Sequence, residues 1–351
     1  MLRATDKVSD LIFSPGRPPQ VEVYGQLIPV QGPGLRVLTA DDTRRIASDL
    51  IGSNKQAINI LREQGSCDIS FGLPGLARFR VNIFIQRGSC AVVMRVIPTT
   101  IPGFPGLGLP PQLGQIADLR DGIVLVTGAR GSGKSSTLAA LLDTINEKQT
   151  CHIITVEDPI EFLHNHKKAT IHQRELHSDT PSFVLALRAA PRQAPKVILV
   201  GELRDRETME MVLEAAETGH LVLSSLNAPN AVKTLDRIVT AFPAAEQSAV
   251  RGRLAKTLRY VISQRLIPRK DTGRVAIVEV FKNTPATANY LECEDPSGGN
   301  LLKALKNGAS EGMQHFDAEI EKLVQAGIVD LETALNCATD PQQLRSALRP
   351  A

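Results

Sequence analysis

The spacing of hydrophobic and polar residues changes along the chain, and its first region predicts short strands around a helix. Apolar and polar residues alternate over Val21–Tyr24, Arg78–Ile83 and Ala91–Val96, which is typical of half-buried strands. Thr39 is in position to cap a helix with an apolar stripe on one face. The pattern predicts a first domain over residues 1–99.

A segment rich in proline and glycine, Thr100–Pro111, lacks a periodic pattern and predicts a linker over residues 100–112. Beyond it, uniformly apolar runs alternate with helical stretches. These runs are Ile123–Thr127, Ile153–Val156, Val197–Gly201 and Leu221–Ser225. Such runs suit strands buried on both faces. They predict a parallel sheet covered by helices, in an α/β domain over residues 113–284.

The final region, residues 285–351, changes to short amphipathic helices, such as Phe316–Ala326 and one that begins at Pro341. Shortly before it, apolar residues between positions 254 and 262 have helical spacing and predict a core-facing helix. Arginines and a lysine on this helix are expected to form a solvated face rather than a nucleic-acid site.

Composition narrows the class of protein. Of 351 residues, 42% are hydrophobic and 22% are charged, which excludes a disordered or fibrous chain. The 40 basic and 37 acidic side chains leave a net charge of +3, and aromatic residues make up only 4%, so no nucleic-acid partner is expected. The five cysteines form no C-x-x-C pair. Because no apolar run is long enough to cross a bilayer and no signal-peptide pattern begins the sequence, we expect a cytosolic protein without a transmembrane segment.

The segment after the first apolar run carries the clearest chemistry. Residues 128–135, GARGSGKS, fit the pattern G-x-x-x-x-G-K-[ST] between a strand and a helix. Glycines let backbone N–H groups surround phosphate oxygens, Lys134 can reach the β- and γ-phosphates, and Ser135 can bind Mg²⁺. The segment therefore predicts a nucleoside triphosphate site. Its expected ligands are Gly128, Ala129, Arg130, Gly131, Ser132, Gly133, Lys134, Ser135 and Ser136.

Carboxylates end two further strands. Glu202 follows Val197–Gly201 and can orient or deprotonate an attacking water, and we expect it beside the phosphate loop. Glu157 and Asp158 follow Ile153–Val156. Because ligands of open α/β sheets bind at the carboxyl ends of the strands, we expect these carboxylates at one edge of the sheet. For Glu157 alone, a structural salt bridge is an equal alternative.

Four histidines, His164, His166, His172 and His177, form a loose cluster in the sequence. The H-x-H spacing can begin a metal site, but organised cysteine or carboxylate spacing is missing. Surface histidines are therefore expected here rather than metal ligands.

Four segments occur in the order found in a known superfamily. GARGSGKSS, ITVEDPIEF, VILVGELRD and ETGHLVLSSLN resemble the Walker A motif, Asp box, Walker B region and His box of secretion ATPases. Over nearly its whole length the chain resembles the PilT/PilU family of type IV pilus retraction ATPases, with PRQAPKVILVGELRDRETME slightly closer to the PilU branch. The resemblance implies a PAS-like α+β domain, a RecA-like P-loop ATPase domain with a C-terminal helical subdomain, and a homohexameric ring.

The same resemblance implies ligands and roles. ATP would lie between the two domains with Mg²⁺, and Arg80 and Arg95 of the N-terminal domain would contact its phosphates. Arg188 and Arg192 would approach from the neighbouring subunit, although Pro191 is expected to end their helix. Further roles implied by the family fall on Lys134 as phosphate ligand, Ser135 as metal ligand, Glu202 as general base and Glu157 as a residue that positions metal-bound water.

Two departures from the family pattern stand out. Where the family has T-L-H, this chain has Asn227 in place of the histidine expected near the γ-phosphate, while His220 matches the other histidine of the box. Asparagine cannot carry a positive charge, and the loss of a charge-assisted contact costs on the order of 1–2 kcal/mol, or roughly tenfold in rate. Pro285–Glu292 also lacks both arginines of the family's A-I-R-N-L-I-R-E motif.

The sequence therefore predicts an Mg²⁺-dependent, hexameric ATPase that powers type IV pilus retraction from the cytoplasmic side of the inner membrane. Its expected partners are an inner-membrane platform protein and a paralogous retraction ATPase. Three alternatives stay open: a slow or non-hydrolysing accessory subunit, a related type II or type IV secretion ATPase, and, least favoured, a nucleic-acid motor.

Overall fold

Two compact units make up the protein. A computed structural model describes residues 1–2, 8–32, 35–73, 75–293 and 298–348. The first unit comprises Met1–Thr100 and Pro159–Leu163, and the second comprises Ile101–Asp158 and His164–Ala351. Among the helices of the described residues, none has the length and hydropathy that a membrane crossing requires.

In the first unit, helices pack against an antiparallel sheet of six strands. Its elements are β1 (Val8–Phe13), β2 (Gln20–Val23), β3 (Gln26–Pro29), α1 (Ala40–Ile51), α2 (Lys55–Gln64), β4 (Ser66–Leu73), β5 (Ala77–Gln86) and β6 (Ser89–Ile97). The strands lie in the order β3-β2-β1-β6-β5-β4. Thr39 caps α1 by accepting a hydrogen bond from Asp42 N, while the Asp42 carboxylate accepts from Thr39 N. The predicted strands and the capped helix are confirmed.

Five residues return to the first unit from the middle of the chain. The backbone N–H of Leu163 donates to Pro98 O at 3.4 Å, and Pro159–Leu163 are grouped with the N-terminal residues. The sequence predicts these residues within the ATPase domain, because a break of five residues leaves no periodic signal.

The prediction that the segment 100–112 contains no periodic element is wrong. The short helix α3 (Phe104–Leu107) lies inside it, and a 3₁₀-helix spans Pro111–Asp118. Leu113 and Ile116 of the 3₁₀-helix are fully buried in the core of the second unit. Prolines at the first turn favour helix initiation, and here they begin elements that pack rather than a free linker.

The second unit is built on a seven-stranded sheet in the order β13-β12-β7-β11-β10-β8-β9. Its strands are β7 (Gly122–Thr127), β8 (His152–Glu157), β9 (Thr170–Glu175), β10 (Val197–Val200), β11 (Leu221–Leu226), β12 (Leu258–Pro268) and β13 (Arg274–Lys282). Its other helices are α4 (Lys134–Lys148), α5 (Phe183–Ala189), α6 (Arg206–Glu217), α7 (Ala231–Thr240), α8 (Ala244–Thr257), α9 (Pro285–Glu292), α10 (Gly299–Asn307), α11 (Phe316–Gln325), α12 (Leu331–Cys337) and α13 (Pro341–Ala347).

Helices cover both faces of this sheet, as the apolar runs predict. Ile123 and Leu125 of β7 point into the core formed with α5–α8, whereas Val124 and Val126 point into the core formed with α4. All strand pairs are parallel except the last, in which β12 and β13 run antiparallel. The α/β prediction is confirmed, with an antiparallel edge strand added.

The predicted helix over residues 254–262 is wrong in its second half. Helix α8 ends at Thr257, and β12 begins at Leu258 and pairs with both β7 and β13. β-Branched residues such as Val261 and Ile262 favour a pleated, buried position, and two neighbouring strands are available to pair with them. The basic face is also partly paired, because Arg253 donates to Glu210 and Glu217, both at 2.7 Å.

The C-terminal helices α11, α12 and α13 form a small core of their own around Phe316, Ile320 and Leu344. Strand β12 is attached to this core by Arg265, whose guanidinium lies 3.9 Å from the centre of the Phe316 ring and donates to Cys337 O at 3.0 Å. The predicted helices that begin at Phe316 and Pro341 are confirmed.

Candidate functional site

The phosphate loop joins β7 to α4 and depends on two glycines. Gly128 and Gly133 have positive φ angles of 150° and 93°. A Cβ atom at Gly128 would lie 2.4 Å from both Gln264 O and Ser132 Oγ, and one at Gly133 would lie 2.9 Å from Gln264 Nε2. No other residue type fits this turn without displacing the backbone, so the loop geometry accounts for both glycines.

Polar groups of this loop fit a phosphate. Ser132 is 5% exposed, and its Oγ has no hydrogen-bond partner within the described parts of the chain. Lys134 Nζ donates to the carbonyl oxygens of Gly128 and Ala129 at 3.0 and 2.9 Å. The loop also lies at the N-terminus of the 15-residue helix α4, where backbone N–H groups and the helix dipole favour an anion. The Ser132 hydroxyl and the Lys134 ammonium group are suitable partners for phosphate oxygens.

Side chains of strand β12 form hydrogen bonds with residues on either side of the phosphate loop, and the sequence patterns do not predict this. Thr127 Oγ1 donates to Ser263 Oγ at 3.1 Å, and Thr137 Oγ1 donates to Gln264 Oε1 at 2.7 Å. Ser263 and Gln264 are both buried. The sequence does contain a signal for this role: two adjacent polar residues occur in an otherwise apolar strand, and buried polar side chains need hydrogen-bond partners.

Asn227 connects the phosphate loop to Glu202. Strand β11 separates β7 from β10, so Glu202 does not end the strand next to the phosphate loop. Instead, Lys134 Nζ donates to Asn227 Oδ1 at 2.8 Å, and Asn227 Nδ2 donates to Glu202 Oε1. Arg237 Nη1 in turn donates to Asn227 O at 2.6 Å. The asparagine amide can serve both neighbours because it carries one acceptor and one donor group.

Arg204 binds the other side of Glu202. Its Nε donates to Glu202 Oε2 at 2.8 Å, and its Nη1 donates to Asp158 Oδ2 at 2.9 Å. The hydrogen bond to Glu202, followed by the charges of both carboxylates, raises the pKa of the Arg204 guanidinium. The parallel register of β8 and β10, in which Val200 lies opposite Val156, brings these carboxylates to one edge.

Glu157 has its own hydrogen bonds at this edge. Thr155 Oγ1 and Gln173 Nε2 donate to Glu157 Oε1 at 2.5 and 3.1 Å. Gly201 allows β10 to pass close by, since a Cβ atom there would lie 3.4 Å from the Glu157 Cα. The structure thus places a carboxylate where the Asp box was expected, and its role towards a metal-bound water stays a prediction.

Comparisons with known proteins agree with this arrangement. A family model described as "Type II/IV secretion system protein" matches residues 68–299. PilT of Pseudomonas aeruginosa, a type IV pilus retraction ATPase, is 41% identical over 97% of this chain and 96% of its own length. A crystal structure of the pilus retraction motor PilT with bound ADP is 40% identical, with a TM-score of 0.85 over 97% of this chain and 95% of that one.

The chain belongs to the type II/IV secretion system protein family, in its PilT/PilU branch. The type IV pilus ATPase PilU of Pseudomonas aeruginosa is 38% identical over 97% of this chain and 88% of its own length. The identities of 41% and 38% do not separate PilT from PilU as the nearer relative. The expected PAS-like α+β and RecA-like folds agree with the two sheets described above.

His220, expected in the His box, lies far from the phosphate loop of its own subunit. It precedes β11, and its carbonyl oxygen accepts from Gly122 N at 3.0 Å at the start of β7. The phosphate loop follows the other end of β7, about 20 Å away by strand geometry. His220 Nδ1 contacts Ala215 O at 2.9 Å. The structure therefore does not bring His220 together with Asn227, although sequence places them seven residues apart.

The family's arginines lie on three elements. Arg80 and Arg95 face each other across β5 and β6, and they pair with Asp68 at 3.9 Å and Asp10 at 2.9 Å. Both are well exposed, at 49% and 71%. Their role as phosphate ligands stays a prediction.

The second pair of arginines is divided as the proline predicts. Arg188 lies at the end of α5 and donates to Glu207 at 3.1 Å, whereas Arg192 lies in the 3₁₀ turn Ala190–Gln193 that follows. The turn is adjacent to the start of β8, where Gln193 O contacts His152 Nδ1 at 2.9 Å. Arg192 therefore lies at the edge opposite the phosphate loop, and its contact with a neighbouring subunit stays a prediction.

The histidine cluster is arranged differently from the sequence grouping. His172 Nδ1 lies 2.8 Å from Nε2 of His152, a residue that the sequence analysis left out. Burial lowers the pKa of His164 to about 4, so its imidazole is neutral near pH 7. Within the described ranges, histidine, cysteine and carboxylate side chains form no group that could hold a metal ion.

Proposed function

We propose that this protein is an Mg²⁺-dependent ATPase. The observation that carries the proposal is the chain of contacts from Lys134 through Asn227 to Glu202, since it joins a phosphate loop to a carboxylate at the same sheet edge. The bound ADP of the related PilT structure supports a nucleotide ligand. ATP would displace Lys134 Nζ from the carbonyl oxygens of Gly128 and Ala129 towards its β- and γ-phosphates.

Glu202 is the proposed general base. A water hydrogen-bonded to its carboxylate attacks the γ-phosphorus, the bond from that phosphorus to the ADP oxygen breaks, and Glu202 takes a proton from the water. Backbone N–H groups of the phosphate loop stabilise the charge on the phosphoryl oxygens. Ser135, with Glu157 acting through water, offers the oxygen donors that Mg²⁺ prefers, and the metal would neutralise charge on the β- and γ-phosphates.

We further propose that ATP hydrolysis powers type IV pilus retraction. PilT is named a type IV pilus retraction ATPase and PilU a type IV pilus ATPase, and both match almost the whole chain. By this proposal the protein forms a homohexamer at the cytoplasmic face of the inner membrane, acts on a platform protein there, and uses Arg80, Arg95, Arg188 and Arg192 as phosphate ligands. A paralogous retraction ATPase is a proposed additional partner.

Two alternatives have specific support. The shared family model also covers type II and type IV secretion ATPases, which would use the same chemistry on a different platform. A slow accessory subunit is favoured by Asn227 and by α9, where no arginine occupies Pro285–Glu292. Deletion of the gene followed by assays of twitching and of protein export separates the first alternative from pilus retraction.

Turnover of ATP by the purified chain and by Glu202→Gln tests the central proposal. The substitution keeps the shape of the side chain and removes the proton acceptor, so we expect kcat to fall by a factor of about 10²–10⁴. Nucleotide binding should persist, because Glu202 does not belong to the phosphate loop. Equal turnover by both proteins would rule out Glu202 as the base, and no turnover by either would favour the accessory subunit.

A further inference from the structure

Both carboxylate oxygens of Glu202 already accept hydrogen bonds from side chains. Oε2 accepts from Arg204 Nε at 2.8 Å, and Oε1 accepts from Asn227 Nδ2. The Glu202 side chain is only 22% exposed, so solvent screens the ion pair incompletely. An attacking water must compete with these two donors for the carboxylate oxygens of Glu202. This arrangement is unfavourable for a general base.

Arg204 has a second acceptor within reach. Its Nη1 donates to Asp158 Oδ2 at 2.9 Å, and the Asp158 side chain is 28% exposed. Arg204 itself is 54% exposed, which leaves its side chain room to move. The guanidinium can thus leave Glu202 and keep an ion pair with Asp158, which lies at the end of the neighbouring strand in the sheet.

We propose that Arg204 is a positioning residue that restrains Glu202 in the resting subunit, and that hydrolysis requires its guanidinium to shift from Glu202 to Asp158. The inference rests on the proposed role of Glu202 as general base. Among the described residues, the charged groups near this carboxylate include Arg204, Asp158 beyond it, and Lys134 and Arg237, which both contact Asn227.

Nucleotide binding provides the trigger. Lys134 Nζ must turn from Asn227 Oδ1 to the phosphates, which frees the asparagine amide to rotate and to draw Glu202, still hydrogen-bonded to it, away from Arg204. Once Arg204 pairs with Asp158 alone, Glu202 accepts the proton of the attacking water as the new bond to the γ-phosphorus forms and ADP leaves with the electron pair of the broken bond. The proton then passes to phosphate or solvent.

Steady-state ATP hydrolysis by the full chain from pH 5.5 to 9 tests this role, with Arg204→Ala and Asp158→Asn as opposing variants. Removal of a partly exposed ion pair should raise kcat about two- to fivefold in Arg204→Ala, with KM for ATP unchanged. At each pH, Arg204→Lys, which keeps the positive charge, should return kcat towards that of the natural chain. Asp158→Asn should lower kcat, since Arg204 then has Glu202 as its remaining carboxylate partner.

Arg206→Ala is the matched control. Arg206 has a similar exposure of 51% and pairs with Glu246 at 2.7 Å, without contact to Glu202 or Asp158, so we expect an unchanged profile. An unchanged or lower kcat in Arg204→Ala, or an Arg204→Lys variant that behaves like Arg204→Ala, overturns the proposed restraint when Glu202→Gln is inactive. Full turnover by Glu202→Gln instead overturns the proposed base, and the role of Arg204 with it.

Discussion

The two edges of the seven-stranded sheet carry different chemistry, although the same strands run through both. At the carboxyl edge, the charged and amide side chains of Lys134, Asn227, Glu202, Arg204 and Asp158 bind one another in sequence. At the opposite edge, His220 contacts Ala215 O, and His152 contacts both Gln193 O and the His172 ring, so backbone carbonyls take a larger part there.

This difference explains why only one edge suits a reaction. Side chains that hold one another can exchange partners when a ligand arrives, because each partner is itself free to turn. The contacts of His220 with Ala215 O and of His152 with Gln193 O hold the ends of α6 and of the 3₁₀ turn in place. A network of side chains is therefore suited to catalysis, and contacts to the backbone are suited to stability.

The largest expected effect is on folding stability, and it concerns Glu279, a buried residue near the carboxyl edge of the sheet. Glu279 of β13 is 5% exposed, and its Oε1 accepts from Ala231 N at 2.8 Å at the start of α7. Burial raises the pKa of Glu279 to about 7, against the effects of the bonds from Ala231 and Ser263 and of the charge of Arg265. The carboxyl is thus neutral in the folded protein below about pH 7.

Glu279→Gln should remove a pH dependence of folding. Because the folded pKa lies above the ordinary value of 4.5, the stabilisation is complete below pH 4.5 and is lost as pH rises to 7, by about 3 kcal/mol in total. Urea denaturation at pH 5 and pH 8 should show this loss in the natural chain and not in Glu279→Gln. Glu332→Gln, at an exposed residue, serves as the control, and an equal loss in all three proteins contradicts the prediction.

Substitution of Asn227 should break the hydrogen-bonded connection between Lys134 and Glu202 at the carboxyl edge. Asn227→Ala removes two hydrogen bonds, each worth on the order of 1 kcal/mol, and should lower kcat roughly tenfold. Asn227→Asp keeps the shape but loses the donor to Glu202 and places two carboxylates together, so a larger fall is expected. Steady-state kinetics measures both, and an Asp variant as fast as the natural chain would show that the bond to Glu202 has no part in turnover.

The smallest effect is expected at the opposite edge. His220→Ala should change the affinity of the isolated subunit for a nucleotide less than about twofold, because the imidazole lies about 20 Å from the phosphate loop. Titration with a fluorescent ADP analogue at a concentration where the protein is monomeric measures this affinity. A tenfold loss would place His220 at the phosphates and erase the contrast between the edges.

Local sequence patterns predicted the phosphate loop and the central strands, because glycine geometry and burial on both faces act within a few residues. They could not predict the order of strands, which places β11 between β7 and β10 and makes Asn227 the connection to Glu202. The resemblance to the family also places His220 and Asn227 in one motif, the His box. The length of β11 separates them, and a local sequence pattern cannot show that they lie at opposite edges of the sheet.

Errors at residues 254–262 and 104–107 have a related cause. Apolar residues at helical spacing also suit a strand once two neighbours can pair with it, as β7 and β13 do with β12. The first turns of α3 and of the following 3₁₀-helix contain prolines, and in the sequence such prolines also indicate a linker. In both places, packing against distant residues decided between local options of similar energy.

Strand β12 has a mechanical consequence for the molecule. Its Gln264 lies beneath the phosphate loop, while the next residue, Arg265, is stacked on Phe316 and bonded to the end of α12. Strand β12 thus contacts both the phosphate loop and the C-terminal helices, and it is hydrogen-bonded to a neighbouring strand on each side. A small rotation of this strand would therefore couple a shift of the phosphate loop to a displacement of α11, α12 and α13.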